Sequence, residues 1–191
     1  MKSVKKIILL AFGILFIQFG IAQVDHSEYF SVSEEDKKRW KIYSEFIEEF
    51  EANSDEKADS VFSFAKIEYQ KGQFSKSREL CELANKLNPK LSKTYLLIGK
   101  AYASSAKICL EDDSHKIKEA IIWAAIDEWE KSISLTGGES EAKLLIERYS
   151  EYLPTEKHFR SCFTDSTAKE GDEYFVNCWI QRTTKIRFKR E

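Results

Sequence analysis

Four cysteines, three histidines and a scatter of carboxylates are the residues of this 191-residue chain that could carry covalent or acid–base chemistry. Cys81, Cys109, Cys162 and Cys178 stand far apart. No Cys-x-x-Cys spacing is therefore present to poise a redox thiol or to clasp zinc. Four cysteines allow three complete pairings, and spacing alone does not choose among them. His26, His115 and His158 fall in a linker, a turn and a late loop, with no metal-ligand spacing among them. Asp112 and Asp113 sit in a predicted turn, where a solvated tip is the ordinary role of such residues. The chain has no His-Glu-x-x-His, no Gly-rich phosphate loop and no Gly-x-Ser-x-Gly elbow. These residue types and spacings point away from catalysis and call for no cofactor and no metal.

The segments that must position the remaining residues begin with a leader. Lys2, Lys5 and Lys6 precede an apolar run from Ile7 that ends at Gly20-Ile21-Ala22. That is the layout of a secretory signal peptide, with cleavage expected after Ala22 and Gln23 as the mature N-terminus. The alternative is an uncleaved inner-membrane anchor, for which the run is short against the roughly 20 residues that span a bilayer. Without residues 1–22 the chain holds 27 basic against 32 acidic residues, a formal charge of −5. Such a charge speaks against nucleic acid and anionic membrane as partners, leaving membrane contact to the leader alone. The expected address is the periplasm or the exterior.

Residues 23–33 read as a linker. Residues 34–51 read as a helix with Trp40, Tyr43, Ile47 and Phe50 on one face, and residues 34–154 as one helical domain. Within it the sequence repeats. Val61, Phe64, Ala65 and Lys66 return 34 residues later as Tyr95, Ile98, Gly99 and Lys100. Ser77, Cys81, Ala84 and Leu87 return after 48 residues as Ala125, Trp129, Ser132 and Leu135. The first offset is the tetratricopeptide period, and the second implies an insertion of 14 residues between Tyr102 and Ala125. Lengthening both helices of the second unit by two turns would absorb it, giving one helix through Cys109, a tip at residues 111–114 and a return helix from about Lys116 to Leu135. That return helix carries apolar residues on two faces, Ile121, Ala125 and Trp129 on one and Trp123, Ile126 and Ile133 on the other. Cover on both sides is expected. A further helix with Ala142, Leu145, Ile146, Tyr149, Tyr152 and Leu153 follows Gly137-Gly138 and ends at Pro154. In the tail, residues 155–191, alternation from Tyr174 to Ile180 and again at Thr184, Ile186 and Phe188 predicts a β-hairpin turning near Gln181-Arg182 and packed on the helices.

Tyr95, Ile98, Gly99 and Tyr102, followed by Ala125 and Trp129, and Gly72, Phe74, Ala84 and Asn88-Pro89 in the weaker first unit, resemble the tetratricopeptide-repeat family. The resemblance covers roughly residues 58–136. It implies a mostly α fold, an antiparallel helix-pair stack, here with a small C-terminal β-hairpin. The combination with Cys109 and the Cys178-Trp179-Ile180 segment, taken as a strand, resembles a group of exported bacterial proteins of that type. Cys109 at the helix tip and Cys178 on the hairpin are the expected disulfide, with Cys162–Cys178 as its rival; Cys81 is expected to be free and buried.

The family's groove positions fall on Phe62, Lys66 and Tyr69 in the first unit and on Leu96, Lys100 and Ala103 in the second. Lys66 and Lys100, one repeat apart, could hold an acidic or C-terminal peptide segment; solvated surface lysines are the plainer reading. The expected function is that of a non-catalytic protein–protein interaction module, an adaptor or scaffold of the bacterial cell envelope; the resemblance to the exported group itself implies no reaction. Two other readings stand beside it: a structural accessory docked permanently in an envelope complex, and an enzyme whose site is built from the insertion and the tail.

Overall fold

The structure, a computed structural model, describes residues 54–111, 118–137, 141–162 and 167–190, together with Lys38, Lys41 and Glu45. The expected leader, the linker and all but those three residues of the helix expected over 34–51 lie outside the described residues. Lys38, Lys41 and Glu45 are helical and exposed.

The fold is mostly helical and carries one antiparallel two-stranded sheet. Helix α1 (Ser54–Gln70) opens with Asp55 and Glu56 where the helix dipole favours acid. Gly72, with φ +76°, then reverses the chain, and Gln73 N–H closes the turn on the Glu68 carbonyl at 2.9 Å. Helix α2 (Phe74–Leu87) runs back along α1. Ser77 Oγ donates to the Ala65 carbonyl at 2.9 Å near the turn, and Asn88 Nδ2 donates to Asp55 Oδ1 at 3.0 Å at the far end. After Pro89 the chain turns again into α3 (Ser92–Ser104), which packs antiparallel to α2 and is joined to it by the Thr94–Asn85 hydrogen bond.

The third antiparallel neighbour is α5 (Lys118–Thr136), and its junction with α3 explains the repeat's most specific residue. Trp129 is fully buried, with Nε1 donating to the Leu96 carbonyl at 3.3 Å. A Cβ at Gly99 would stand 2.6 Å from Trp129 Cδ1 and 2.8 Å from the Ala125 carbonyl oxygen. Only a glycine fits there. In the first pair the position of Trp129 is taken by the small Cys81, and the position of Gly99 is accordingly filled by Ala65, both without exposure. The first unit departs from the pattern as a matched exchange of volumes across one helix pair.

The insertion is built differently from the single long helix expected. Helix α3 ends at Ser104, Ser105 interrupts it with ψ 6°, and a separate short helix α4 (Ala106–Glu111) follows. The reason is a polar residue at the joint. Ser105 is buried, its Oγ donates to the Tyr102 carbonyl at 2.9 Å, and the same oxygen accepts from Trp179 Nε1 at 3.0 Å. The expected tip falls largely on residues outside the described ones, while the return helix is α5. Helix α6 (Glu141–Ser150) and the turn leading to buried Pro154 match the further helix expected. A short helix, α7 (Glu156–Cys162), was not foreseen; Phe159 is its buried anchor.

The hairpin pairs β1 (Glu173–Val176) with β2 (Arg182–Lys185), Val176 lying opposite Arg182. Cys178, Trp179 and Ile180 are therefore in the loop and not in a strand. Burial alternates along them because the loop dips into the helical body, leaving Cys178 and Ile180 buried and Trp179 half-buried, and Gln181 adopts φ 42° to bring the chain out again. No helix among the described residues is long and apolar enough to cross a membrane.

Candidate functional site

Two surfaces of the helical body come into question, on different sides of α3. The first is the face on which α1 and α3 lie side by side. Phe62, Lys66 and Tyr69 follow one another along α1 at helical spacing, as do Leu96, Lys100 and Ala103 along α3. The two stripes are tied together. Tyr69 Oη lies 3.0 Å from Ser104 Oγ, and Lys93 reaches across to Asp59 at 2.6 Å while its ammonium sits 4.9 Å from the centre of the Phe62 ring. Lys66 is exposed and lies 5.5 Å from that ring. Lys100 is engaged differently, with Nζ donating to Glu141 Oε1 at 2.6 Å on the first turn of α6. The two lysines thus share a face but not an environment: one is available to an anion, the other already holds one.

The second surface is made by the tail. Cys109 and Cys178 form a disulfide with a Cα–Cα distance of 5.5 Å, which joins α4 to the hairpin loop and settles Cys178's partner against the Cys162 alternative. Cys81 is free and buried, and burial pushes its thiol well above the ordinary thiol range, with the Glu82 charge adding to the effect. Beside the bridge, Trp179 lies 5.5 Å edge-on from the ring of Tyr102 and stacks 6.5 Å from Phe74. The Arg78 guanidinium covers its other surroundings at 5.2 Å, and Arg78 Nη1 donates to the Ile180 carbonyl at 2.6 Å. Arg182 continues the tie by pairing with Glu82 on α2.

Along α5 the hairpin is held by a second polar cluster. Thr184 Oγ1 donates to Asp127 Oδ2 at 2.6 Å, and Arg187 reaches Asp127 Oδ1 at 2.6 Å and Glu130 Oε2 at 2.7 Å. Burial lowers the Arg187 pKa, but its hydrogen bonds to those carboxylates outweigh it and the guanidinium titrates above its ordinary value. The apolar side of this junction is Trp123, met edge-on by Tyr174 at 5.8 Å and by the tilted ring of Phe159 at 6.1 Å. This is the cover that the two-faced pattern of α5 predicts. The partners themselves, Arg78, Asp127, Thr184, Trp179 and Arg187, were not read from the sequence; the surplus apolar face of α5 was the available signal.

Between the docked hairpin and helices α2, α3 and α5 an open cleft of about 950 Å³ remains. Tyr95, Ile98 and Tyr102 line its α3 side, turned away from the Leu96, Lys100 and Ala103 stripe. Its carboxylates are largely engaged by internal cations: Glu82 by Arg182, Asp127 and Glu130 by Arg187, and Glu128 by Lys131 at 2.8 Å. No histidine or cysteine lines it. Such an arrangement offers hydrogen bonds and charge to a ligand; its one hydroxyl seen bonded to a carboxylate, Thr184 on Asp127, belongs to the anchor of the hairpin, where Arg187 holds the same carboxylate. Among the described residues no group of three or more His, Cys, Asp or Glu is placed to hold a metal ion. Compared with known protein families, curated proteins and solved structures, the chain matches none.

Proposed function

We propose that this protein is a non-catalytic protein–protein interaction module of the tetratricopeptide-repeat type, exported to the cell envelope and acting there as an adaptor or scaffold. The observation that carries the reading is the α1–α3 face. Successive antiparallel helix pairs set equivalent positions one repeat apart side by side, and on this face Lys66 presents an exposed cation above the buried Phe62 ring, with the half-buried Tyr69 beside it, to an acidic peptide. A disulfide between Cys109 and Cys178 fits an oxidising compartment, and so supports export.

Calorimetric titration of the full chain with a synthetic acidic C-terminal peptide tests the reading. Lys66→Ala is expected to weaken binding several-fold, and Lys100→Ala to weaken it less, because Lys100 is already paired with Glu141. Binding that is unchanged in both variants overturns this use of the face. N-terminal sequencing of the protein recovered from its own cells tests export, with Gln23 as the expected first residue.

A second reading has its own support at the end of the stack. Leu144 on α6 is 64% exposed and Tyr152 just after it 66% exposed, where a further helix pair would cover them. A permanently docked structural subunit would use that end. Purification as a monodisperse monomer separates the two readings in favour of the adaptor.

A further inference from the structure

The cleft beneath the hairpin has a feature that side chains alone do not describe. Arg182, Thr183, Thr184 and Lys185, four consecutive residues of β2, all line it. Successive strand residues point to opposite faces of a sheet, so a cleft that meets all four meets the edge of the strand. The phase of the edge follows from the ladder. Ile186 N–H bonds to the Asp172 carbonyl at 2.9 Å, and antiparallel pairs alternate between bonded and non-bonded positions. Arg182 and Thr184, opposite Val176 and Tyr174, therefore turn their backbone groups toward β1, while Thr183 and Lys185 turn theirs outward. An exposed row of this kind is a template for another strand.

We propose that the cleft is a second peptide site, in which an extended segment of a protein partner with an acidic residue at one end adds to β2 as a third strand. The backbone of the segment pairs with Thr183 and Lys185. Its alternate side chains face Tyr95, Ile98 and Tyr102 on α3. The charges set the preference. The Arg182–Glu82 bridge closes the end of the cleft near the hairpin loop, while Lys86 on α2 and Lys185 on β2 flank the other end, exposed and with no ion pair among the described residues. A cleft of about 950 Å³ matches a short peptide segment, so a peptide suits it better than the folded hairpin of a second copy. This site lies on the other side of α3 from Lys66 and does not depend on the α1–α3 face.

The probe is a pool of synthetic heptapeptides with an aspartate at one end and valine, threonine or tyrosine elsewhere, added to the full chain at up to millimolar concentration. Amide hydrogen exchange is expected to slow at least tenfold at Thr183 and Lys185 on binding. Methylating alternate peptide nitrogens is expected to cost at least tenfold in affinity in one phase and little in the other. Thr183→Pro removes an outward N–H without touching the ladder to β1, and should abolish binding while α-helical circular dichroism and the disulfide persist. Lys86→Ala and Lys185→Ala should each weaken binding a few-fold, with the loss shrinking at high salt. Absence of binding, binding without protection at Thr183 and Lys185, full affinity in a folded Thr183→Pro chain, or dimerisation through this edge would each overturn the proposal. Should Thr183→Pro fail to fold, the exchange measurement on the unaltered chain decides. Lys66→Ala should leave this binding unchanged, which separates its failure from that of the α1–α3 face.

Discussion

Position 99 shows how closely a single residue can be fixed by the size of its neighbour. Gly99 meets Trp129 where Ala65, its counterpart one repeat earlier, has the small Cys81 at the corresponding place. Gly99→Ala should therefore destabilise the fold by about 1–3 kcal/mol through overpacking, although the same substitution would raise helix propensity. Chemical denaturation of the variant checks it, and an unchanged or raised midpoint would contradict the close contact. Cys81 has a chemical consequence of its own. It is fully buried and its thiol titrates far above neutral, so at pH 8 almost none is thiolate. Iodoacetamide should leave it unlabelled in the native protein and label it on unfolding, as read by peptide mass spectrometry. Both residues were legible in the sequence because the repeat assigns them a place. Ser105 was not: a serine within an apolar helical stretch gives no sign that its hydroxyl will receive the indole of Trp179, 74 residues further on.

At the scale of elements, the tail is held by different physics at its two ends. The loop is bound covalently through Cys109–Cys178 and by the packing of half-buried Trp179 with its hydrogen bond to Ser105, and the strands by the Thr184, Arg187, Asp127 and Glu130 cluster. The bridge closes a sequence separation of 69 residues. On the chain-entropy model its removal by Cys109→Ser with Cys178→Ser should cost about 4 kcal/mol. Trp179→Ala in the intact protein should cost about 3 kcal/mol, since it removes aromatic contact and leaves buried Ser105 Oγ without its donor. Thermal unfolding of both variants tests these, and a midpoint within one degree of the parent for either would show that the tail is not part of the cooperative unit. The existence of the hairpin was legible from its period-two alternation. The place of its turn was not, because a loop that dives into the core buries alternate residues just as a strand does. Likewise α7 offers one apolar anchor, Phe159, and too short a span to show a period. The break between α3 and α4 was hidden for a third reason: Tyr95, Tyr102 and Cys109 keep helical spacing across it.

At the scale of the molecule, among the described residues, α1, α2, α3 and α5 in antiparallel succession build the body, and the C-terminal hairpin folds back over α2, α3 and α5 and leaves the α1–α3 face uncovered by the tail contacts described. The mostly helical class and the hairpin were readable from periodicity, because local pattern determines them. Which surface remains for a partner was not, because that depends on how residues about 100 apart meet, as Arg78 and Ile180 do. The central claim is that the α1–α3 face engages another protein. Its most direct test places a photoreactive amino acid at Lys66 in the full-length protein within its own cells, with a matched control at Lys157 on α7, and looks for crosslinks after irradiation. A discrete adduct from position 66 that is absent from position 157 is the predicted result; no adduct at 66, or the same adducts from both positions, would contradict the account.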